Sequence, residues 1–195
     1  MNSLILNEII QSRRSVFLKD YNGTQIEDEV IWQILKNANW APNHKLTEPW
    51  RFKVYTGKGL ITLGKLQAET YKTRADQDGT FTEAKYHNLA TSPQKASHVI
   101  AIIMKRSLEV KIQEIEEISA VACAVQNMYL TATAYGLGAY WGTGGMTYMP
   151  EANAALQLGV QDRLMGFFYL GKTDEPFKAG KRGPIEQKVE WIKSQ

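Results

Sequence analysis

Three stretches of this 195-residue chain combine side chains and backbone freedom in ways suited to chemistry. The first is Arg13-Arg14-Ser15, where two guanidinium forks and a hydroxyl can wrap a phosphate, arginine supplying bidentate geometry. These residues follow a helix-like stretch and precede the apolar Val16-Phe17-Leu18. Arginines at a helix C-terminus also neutralise its dipole, and both readings stand at this point. The second runs from Trp40 to Phe52, stiffened by Pro42 and Pro49 and loaded with Trp40, His44, Lys45 and Trp50. Loops set on rigid elements often carry function, although Trp50 and Phe52 also read as core and His44 as surface. The third, Gly136 to Gly145, holds five glycines in ten residues. Such a stretch lets backbone amides approach something flat or anionic, whereas a plain turn after a helix needs only one or two glycines.

Other chemistry is missing. His44, His87, His98 and Cys123 lie far apart, without the HExxH or CxxC spacing that gathers metal ligands. No P-loop, no G-x-G-x-x-G between strand and helix, and no G-x-S-x-G elbow occurs. Side chains so poorly equipped for difficult reactions point to a bound organic cofactor, with no catalytic side chain of the protein's own.

Composition is that of an ordinary globular domain: 44% hydrophobic, 22% charged and 10% aromatic. Disordered, collagenous and coiled-coil chains look different. A net charge of +3 is too small to call for a nucleic-acid partner. The basic excess at Lys172, Lys178, Lys181 and Arg182 reads as a solvated face. One cysteine forbids an intrachain disulfide. With no basic, cleavable leader in Met1–Gln11, the expectation is a cytoplasmic protein. The longest apolar candidate, Ile118 to Val125, ends at Gln126-Asn127, so no membrane span is expected.

These segments need elements to position them. Ser3 to Gln11 reads as a short helix with Leu4, Ile5 and Ile9 facing inward, joined by Leu6 and Ile10. Asn22-Gly23 marks a turn, and Thr24-Gln25-Ile26-Glu27 has capping-box form. The helix behind it carries a stripe of Ile26, Val30, Ile31, Ile34, Leu35 and Ala38, and must end before Pro42. Arg51 to Thr56 alternates as a strand, and Lys58 to about Arg74 reads as helix. Asp76 to Lys95 looks polar and irregular, with Phe81 to Leu89 as a short helix candidate. His98 to Met104 and Arg163 to Leu170 are apolar runs of strand length, buried on both faces. Ile112 to Tyr135 is helix-compatible, about 36 Å long if continuous, and apolar on most sides beyond Ile118. Such a helix needs cover all round. A partner subunit is one way to supply it; a long core helix in a monomer is the other. With no repeat or linker, the chain reads as one α+β domain spanning 1–195, with Thr173 to Gln195 as a C-terminal extension.

Taken in order, the motifs resemble the nitroreductase family of FMN flavoproteins over essentially the whole chain. They are closest to a small branch whose Ala-Pro-Asp-His-Lys motif appears here as Ala41-Pro42-Asn43-His44-Lys45. Arg-Arg-Ser, Pro-Trp-x-Phe, the long helix, the glycine-rich turn, Leu170-Gly171 and the basic tail Lys181-Arg182-Gly183-Pro184 all fall in place. The resemblance implies an α+β nitroreductase-like fold: a mostly antiparallel sheet flanked by helices, with the long helix at a homodimer interface. It implies FMN held by Arg13, Arg14 and Ser15 at the phosphate and ribityl chain. Trp40 and His44 would reach the flavin held by the partner subunit. Trp141, Gly142 and Thr143 would line the ring, with Lys181 or Arg182 as a second phosphate contact. Thr131 to Gly136 falls where this branch meets the nicotinamide, although the helix pattern alone reads those residues as core. The implied reaction passes hydride from NADH or NADPH through FMN to a nitroaromatic, a quinone or a similar small acceptor, by a ping-pong route. Dehalogenation, flavin fragmentation, oxidative dehydrogenation and a non-catalytic flavin-binding dimer are the alternatives on such a scaffold. The segment 76–95 is expected over the open flavin face. Leu46 and Glu48 stand where most of the family has Asn and Gln, and Trp40 replaces an arginine of the closest branch.

Overall fold

The computed structural model describes residues 2–109 and 111–193. In chain order the elements are α1 (Ser3–Ser12), α2 (Asp28–Ala38), β1 (Trp50–Thr56), α3 (Lys58–Asp78), α4 (Glu83–Thr91), β2 (His98–Met104), α5 (Glu114–Ala134), β3 (Gly138–Gly142), α6 (Glu151–Ala155) and β4 (Arg163–Gly171). The four strands form one sheet in the order β1-β2-β4-β3, every neighbouring pair antiparallel. Its two faces are covered by different helices, so β2 is buried throughout and its residues alternate between two cores. Ile100, Ile102 and Met104 pack with α2 and α5. Val99, Ala101 and Ile103 pack with Leu60 and Leu63 of α3 and with Ala152 of α6. Double burial is why β2 reads as a continuous apolar run.

The long central helix starts at Glu114, where Gln113 and Glu116 exchange backbone and side-chain hydrogen bonds as a capping box. Its inner face buries Val121, Ala124, Val125, Met128 and Tyr129. Asn37 at the end of α2 donates to Thr131 Oγ1 at 3.0 Å, and Asn127 returns a bond to the Asn37 carbonyl at 3.1 Å. The opposite face of α5, with Ile115, Ser119, Cys123 and Gln126, is exposed.

Several expectations need correction. Helix α1 does not turn its apolar residues inward: Leu4, Ile5, Leu6 and Ile10 are exposed and Ile9 is only half-buried. Thr24 and Glu27 form no capping box, because α2 starts four residues after Thr24 and Glu27 itself occupies the N-cap without a side-chain bond. Asn22 Oδ1 instead accepts from the Thr24 amide at 2.9 Å, a local turn that competes with the cap. The 76–95 segment is ordered: α3 continues to Asp78, Gly79 caps it in the left-handed region, and α4 fills most of the remainder. The glycine-rich stretch is strand β3 for half its length, and only its end is a turn. The C-terminal extension, described through Lys193, contains a single 3-10 turn at Ile185–Lys188. No helix among the described residues is long and apolar enough to cross a membrane.

Candidate functional site

The segment after α1 runs along the outer edge of β3, where the Val16 amide donates to the Ala139 carbonyl at 2.9 Å. Ser15 and Phe17, on either side of Val16, make contacts on different faces of the sheet. Ser15 Oγ lies 3.5 Å from Tyr129 Oη on the α5 side. The Phe17 ring meets Tyr140 on the α3 side, with centroids 5.0 Å apart. Tyr129 Oη also accepts from the Trp141 amide at 2.6 Å. Arg13 places its guanidinium 4.8 Å from the Tyr129 ring centroid. It is half-buried and, among the described residues, pairs with no carboxylate. Two of the three stretches therefore converge on one tyrosine.

Sequence patterns missed that tyrosine because Tyr129 sits within the apolar stripe of α5, where it counts as core. The available signal was its hydroxyl, since a buried phenol needs a partner.

Arg14 behaves differently. Its Nε donates to the Lys178 carbonyl at 2.9 Å, and its Nη1 to the carbonyls of Gln11 at 2.6 Å and Arg13 at 2.7 Å. A side chain at Gly180 would collide with this guanidinium, its Cβ falling 2.4 Å from Cζ. Arg14 is thus the clasp that holds the C-terminal extension against the Arg13 segment, bringing Lys181 and Arg182 to the same end of the sheet. Both of those residues are exposed.

Two grooves open from the Arg14–Lys19 strip. One, of about 710 Å³, lies between residues 14–22 and the extension at 173–179. It holds Arg14, Lys19 and Lys178 alongside Asp20, Asp174 and Glu175. The other, of about 490 Å³, lies between the β3 turn and α4; Phe17, Tyr140, Gly142, Gly144 and Gly145 form one wall, and Tyr71, Lys85, Asn88 and Leu89 form the other. Phe17 and Lys19 line both grooves. At Gly144 and Gly145 an added Cβ would meet nothing within 4 Å. The bare backbone there faces open space, as a flat ligand would require.

Trp141 and Thr143 alternate with Gly142 and face a third, larger groove of about 990 Å³ with Arg106 and Arg163. Trp141 is fixed by Nε1 donating to the Met165 carbonyl at 2.8 Å.

Tyr140 stacks on Tyr169 at 4.6 Å and 6°. Burial first, and the neighbouring tyrosines second, push the Tyr140 and Tyr21 phenols well above their usual range. Tyr169 moves the same way through burial. The aromatic floor of the second groove is therefore uncharged.

The Trp40–Phe52 loop lies elsewhere. His44 Nδ1 is 3.0 Å from Glu116 Oε2 at the start of α5, a hydrogen bond that holds the Glu116 carboxyl below its usual range. Thirteen residues of α5 separate Glu116 from Tyr129, about 20 Å along the helix axis. Trp40 is 86% exposed. Within one chain, then, Trp40 and His44 do not join the Arg13 cluster. Trp50 is buried, its Nε1 donating to Asn39 Oδ1 at 2.9 Å, and Phe52 is half-buried.

Lys45, Leu46 and Glu48 all hold positive φ values of 53°, 53° and 41°, each strained by about 1–2 kcal/mol. The Glu48 amide bound to Asn43 Oδ1 at 3.0 Å keeps the loop in that shape. Such strain concentrates at working sites.

Of Thr131 to Gly136, Thr131 and Ala132 are core as the helix pattern implied. Ala134, Tyr135 and Gly136 are exposed, where the helix ends beside Arg13's face of α5.

Comparison with known proteins agrees with this geometry. Residues 10–172 match the family model described as the nitroreductase family. A Bacillus subtilis protein named "Putative NAD(P)H nitroreductase YfhC" is 28% identical over 188 residues, covering 94% of this chain and 92% of that one. The crystal structure of a nitroreductase-like family protein from Bacillus cereus superposes with a TM-score of 0.82 at 28% identity, covering 97% and 96% of the two chains. The FMN-dependent nitroreductase NfnB of Mycobacterium smegmatis, solved in complex with NADPH, shares the fold at a TM-score of 0.74 and 14% identity, with 98% and 99% covered.

Proposed function

The chain belongs to the nitroreductase family, and on that premise we propose that it is an FMN-dependent oxidoreductase working as a homodimer. It takes hydride from NADH or NADPH and passes it, in a ping-pong cycle, to an electron-poor acceptor such as a nitroaromatic or quinone. The observation that carries this reading is the pair of grooves that share Phe17 and Lys19, one lined by Arg14 and Ser15, in a segment whose half-buried Arg13 pairs with no carboxylate among the described residues. A ligand with an anionic end and a flat end suits that shape. When bound, FMN would supply the two-electron chemistry, so the protein needs to position and to stabilise charge.

Each residue's task follows from where it lies. Arg13 and Ser15 hold the phosphate and the adjoining ribityl chain, with Tyr129 fixing both. Arg14 holds the extension, so that Lys181 and Arg182 stand near the same phosphate. Gly144 and Gly145 let a ring approach the backbone, Gly142 makes room for Tyr140 and Tyr169 beneath it, and Trp141 and Thr143 line the neighbouring groove on the strand's other face. Hydrogen-bond donors preorganised in this way favour negative charge developing on a reduced ring.

Trp40 and His44 come from a second copy. Positions 116 and 129 are equidistant from Ala122–Cys123, at the centre of the exposed face of α5. A two-fold axis there would lay two α5 helices antiparallel and carry His44 of one subunit to the Arg13–Tyr129 end of the other. The exposed Leu4, Ile5, Leu6 and Ile10 of α1, which packs on α5, extend the same apolar surface.

The test is direct. The purified protein is expected to be yellow, to retain FMN through gel filtration and to scatter light as twice its 22.0 kDa chain mass. Anaerobic NADH or NADPH should bleach the flavin, and a nitroaromatic should restore the colour. A colourless monomer that ignores added FMN would overturn the reading. A yellow dimer that no nicotinamide bleaches would leave only a flavin-binding protein.

A further inference from the structure

The groove between the β3 turn and α4 carries a charge pattern that flavin chemistry alone does not call for. We propose that it selects acceptors which are flat, electron-poor aromatics bearing an anionic group such as a carboxylate. This rests on the flavin reading above and names the substrate class of that same site.

The floor is aromatic and neutral. Phe17 lies against Tyr140, Tyr140 stacks on Tyr169, and Phe167 packs 6.5 Å from Tyr169. Such a floor suits the planar flavin ring, which leaves the acceptor on the flavin's open side, between the ring and the α4 wall. The rim makes the distinction. Lys85 and Lys95 line the groove from the α4 side and Lys19 from the opposite side, and no aspartate or glutamate is among the lining residues. Asn88, Ser92 and Gln67 add only neutral polar groups. Acidic side chains stand outside the lining. Glu69 accepts from Tyr86 Oη, Glu83 is an exposed residue in the first turn of α4, and Asp20 lines the adjoining groove beside Lys19. An acceptor carrying a negative charge thus meets cations without a competing carboxylate, and low-dielectric aromatic walls strengthen that attraction.

The cationic wall is also fixed in place. Lys85 Nζ sits 4.5 Å from the centroid of the Tyr71 ring, a cation–π contact that holds it at the groove. Tyr71 in turn donates to the Thr80 carbonyl at 3.1 Å and accepts from the Thr82 amide at 3.0 Å. Phe81 stacks on it at 6.0 Å. These bonds tie α3, the 79–82 turn and α4 into one packed unit. Lys85 is therefore presented by a rigid element and pays little ordering entropy when an anion arrives.

The experiment uses the FMN-loaded dimer and two acceptors of nearly equal shape, 4-nitrobenzoate and 4-nitrobenzamide. Equilibrium binding to the oxidised protein, followed by flavin and tryptophan fluorescence, is measured beside kcat/KM for each. The expected result is tighter binding and higher kcat/KM for the carboxylate, a preference that shrinks as salt is raised. In Lys85→Gln/Lys95→Gln that preference should fall about tenfold or more, the scale of a hydrogen bond to a charged group. In Lys85→Glu it should reverse in favour of a 4-nitrobenzyl trimethylammonium ion. Equal treatment of the two acceptors by the unmodified protein would overturn the proposal. So would loss of FMN from the lysine variants, which would show that these cations serve the coenzyme. If the protein held no FMN and reduced neither compound, the parent reading would fail instead. Tryptophan fluorescence of that colourless protein would still decide the groove, by whether it prefers the carboxylate to the amide.

Discussion

Replacing Arg13 by alanine separates the contact that the structure shows, with Tyr129, from the role proposed for the side chain at the coenzyme. Its fold contribution is the half-buried contact with the Tyr129 ring, 4.8 Å from the centroid, worth about 1 kcal/mol. In a domain of this size that loss lowers Tm by roughly 2–4 °C. Its contribution to the coenzyme is larger. The guanidinium has no carboxylate to fall back on, and truncating one partner of a desolvated charge pair costs about 2–5 kcal/mol. At about 1.4 kcal/mol per decade, FMN affinity should drop from roughly 30-fold to several thousandfold. The assay is fluorescence titration of apoprotein with FMN, paired with differential scanning calorimetry on the same apoprotein so that flavin binding cannot mask the change in Tm. Arg13→Lys is the informative control: it keeps the charge but loses the bidentate fork, and should fall between the two. Full flavin occupancy in Arg13→Ala after gel filtration would place the phosphate elsewhere. A collapse in Tm far beyond the expected few degrees would show the arginine to be mainly structural.

Two further outcomes follow from buried groups. Glu117 is wholly buried, paired with Arg106 and accepting from the Ser107 amide at 2.9 Å. Arg106→Ala strands that carboxylate and should destabilise the fold by about 3–5 kcal/mol in urea unfolding, whereas Arg106→Met with Glu117→Leu should recover most of the loss; a single variant as stable as the parent would refute the assignment. The phenols of Tyr21, Tyr140 and Tyr169, held above their usual range first of all by burial, keep their protons in the folded state when an unfolded chain would release them. Stability is therefore retained below about pH 10 and declines as pH rises beyond it. Absorbance at 295 nm should show fewer than all nine tyrosines ionising until unfolding; nine ionising together near pH 10 in folded protein would contradict this.

What sequence patterns disclosed follows from what they measure. Residues 98–104 were legible as a strand because a doubly covered strand has no polar face to confuse its period, and α2 was legible because its one-sided stripe matches the helical repeat. The start of α2 was misread because Thr24-x-x-Glu27 fits the cap motif, yet Asn22 claims the Thr24 amide first. Within residues 76–95 the helix candidate Phe81 to Leu89 was legible and appears as Glu83–Thr91, while the remainder was read as irregular because polarity was taken for irregularity. Helix α4 buries no residue fully and is held through Tyr71, Phe81 and Tyr86, which periodicity does not register. The glycines of 136–145 were grouped as one feature although they do separate jobs. Gly136 ends α5 at φ +68°, Gly138 and Gly142 admit neighbouring side chains, and Gly144-Gly145 faces open space at the groove. Arg13, Ser15 and Trp141 were singled out by type and order, and the fold brings all three to one tyrosine. Their common partner, Tyr129, was hidden because helical patterning records whether a residue is buried and says nothing of what its hydroxyl does.

The apolar residues that remain exposed point the same way. Leu4, Ile5, Leu6 and Ile10 on α1, and Ile115 on α5, obey a helical pattern that in a monomer would be wasted on solvent. A pattern of this kind encodes burial without naming the molecule that provides it. Exposed apolar side chains grouped on one helix in this way suit an association surface. Trp40 and His44 pose the same problem from the chemical side. They occupy a loop held at positive φ at three residues, a cost of several kcal/mol, and its anchor on α5, Glu116, lies about 20 Å along the helix from Tyr129 beneath Arg13, whereas the sequence reading put them at the flavin held by the partner subunit. The proposed two-fold axis at Ala122–Cys123 would answer both problems with one operation. It would cover the exposed face of α5 and carry the strained loop to the Arg13 end of the partner's helix. Because an isologous interface must be self-complementary about its axis, the small side chains of Ser119, Ala122 and Cys123 at its centre would let two α5 helices approach closely there.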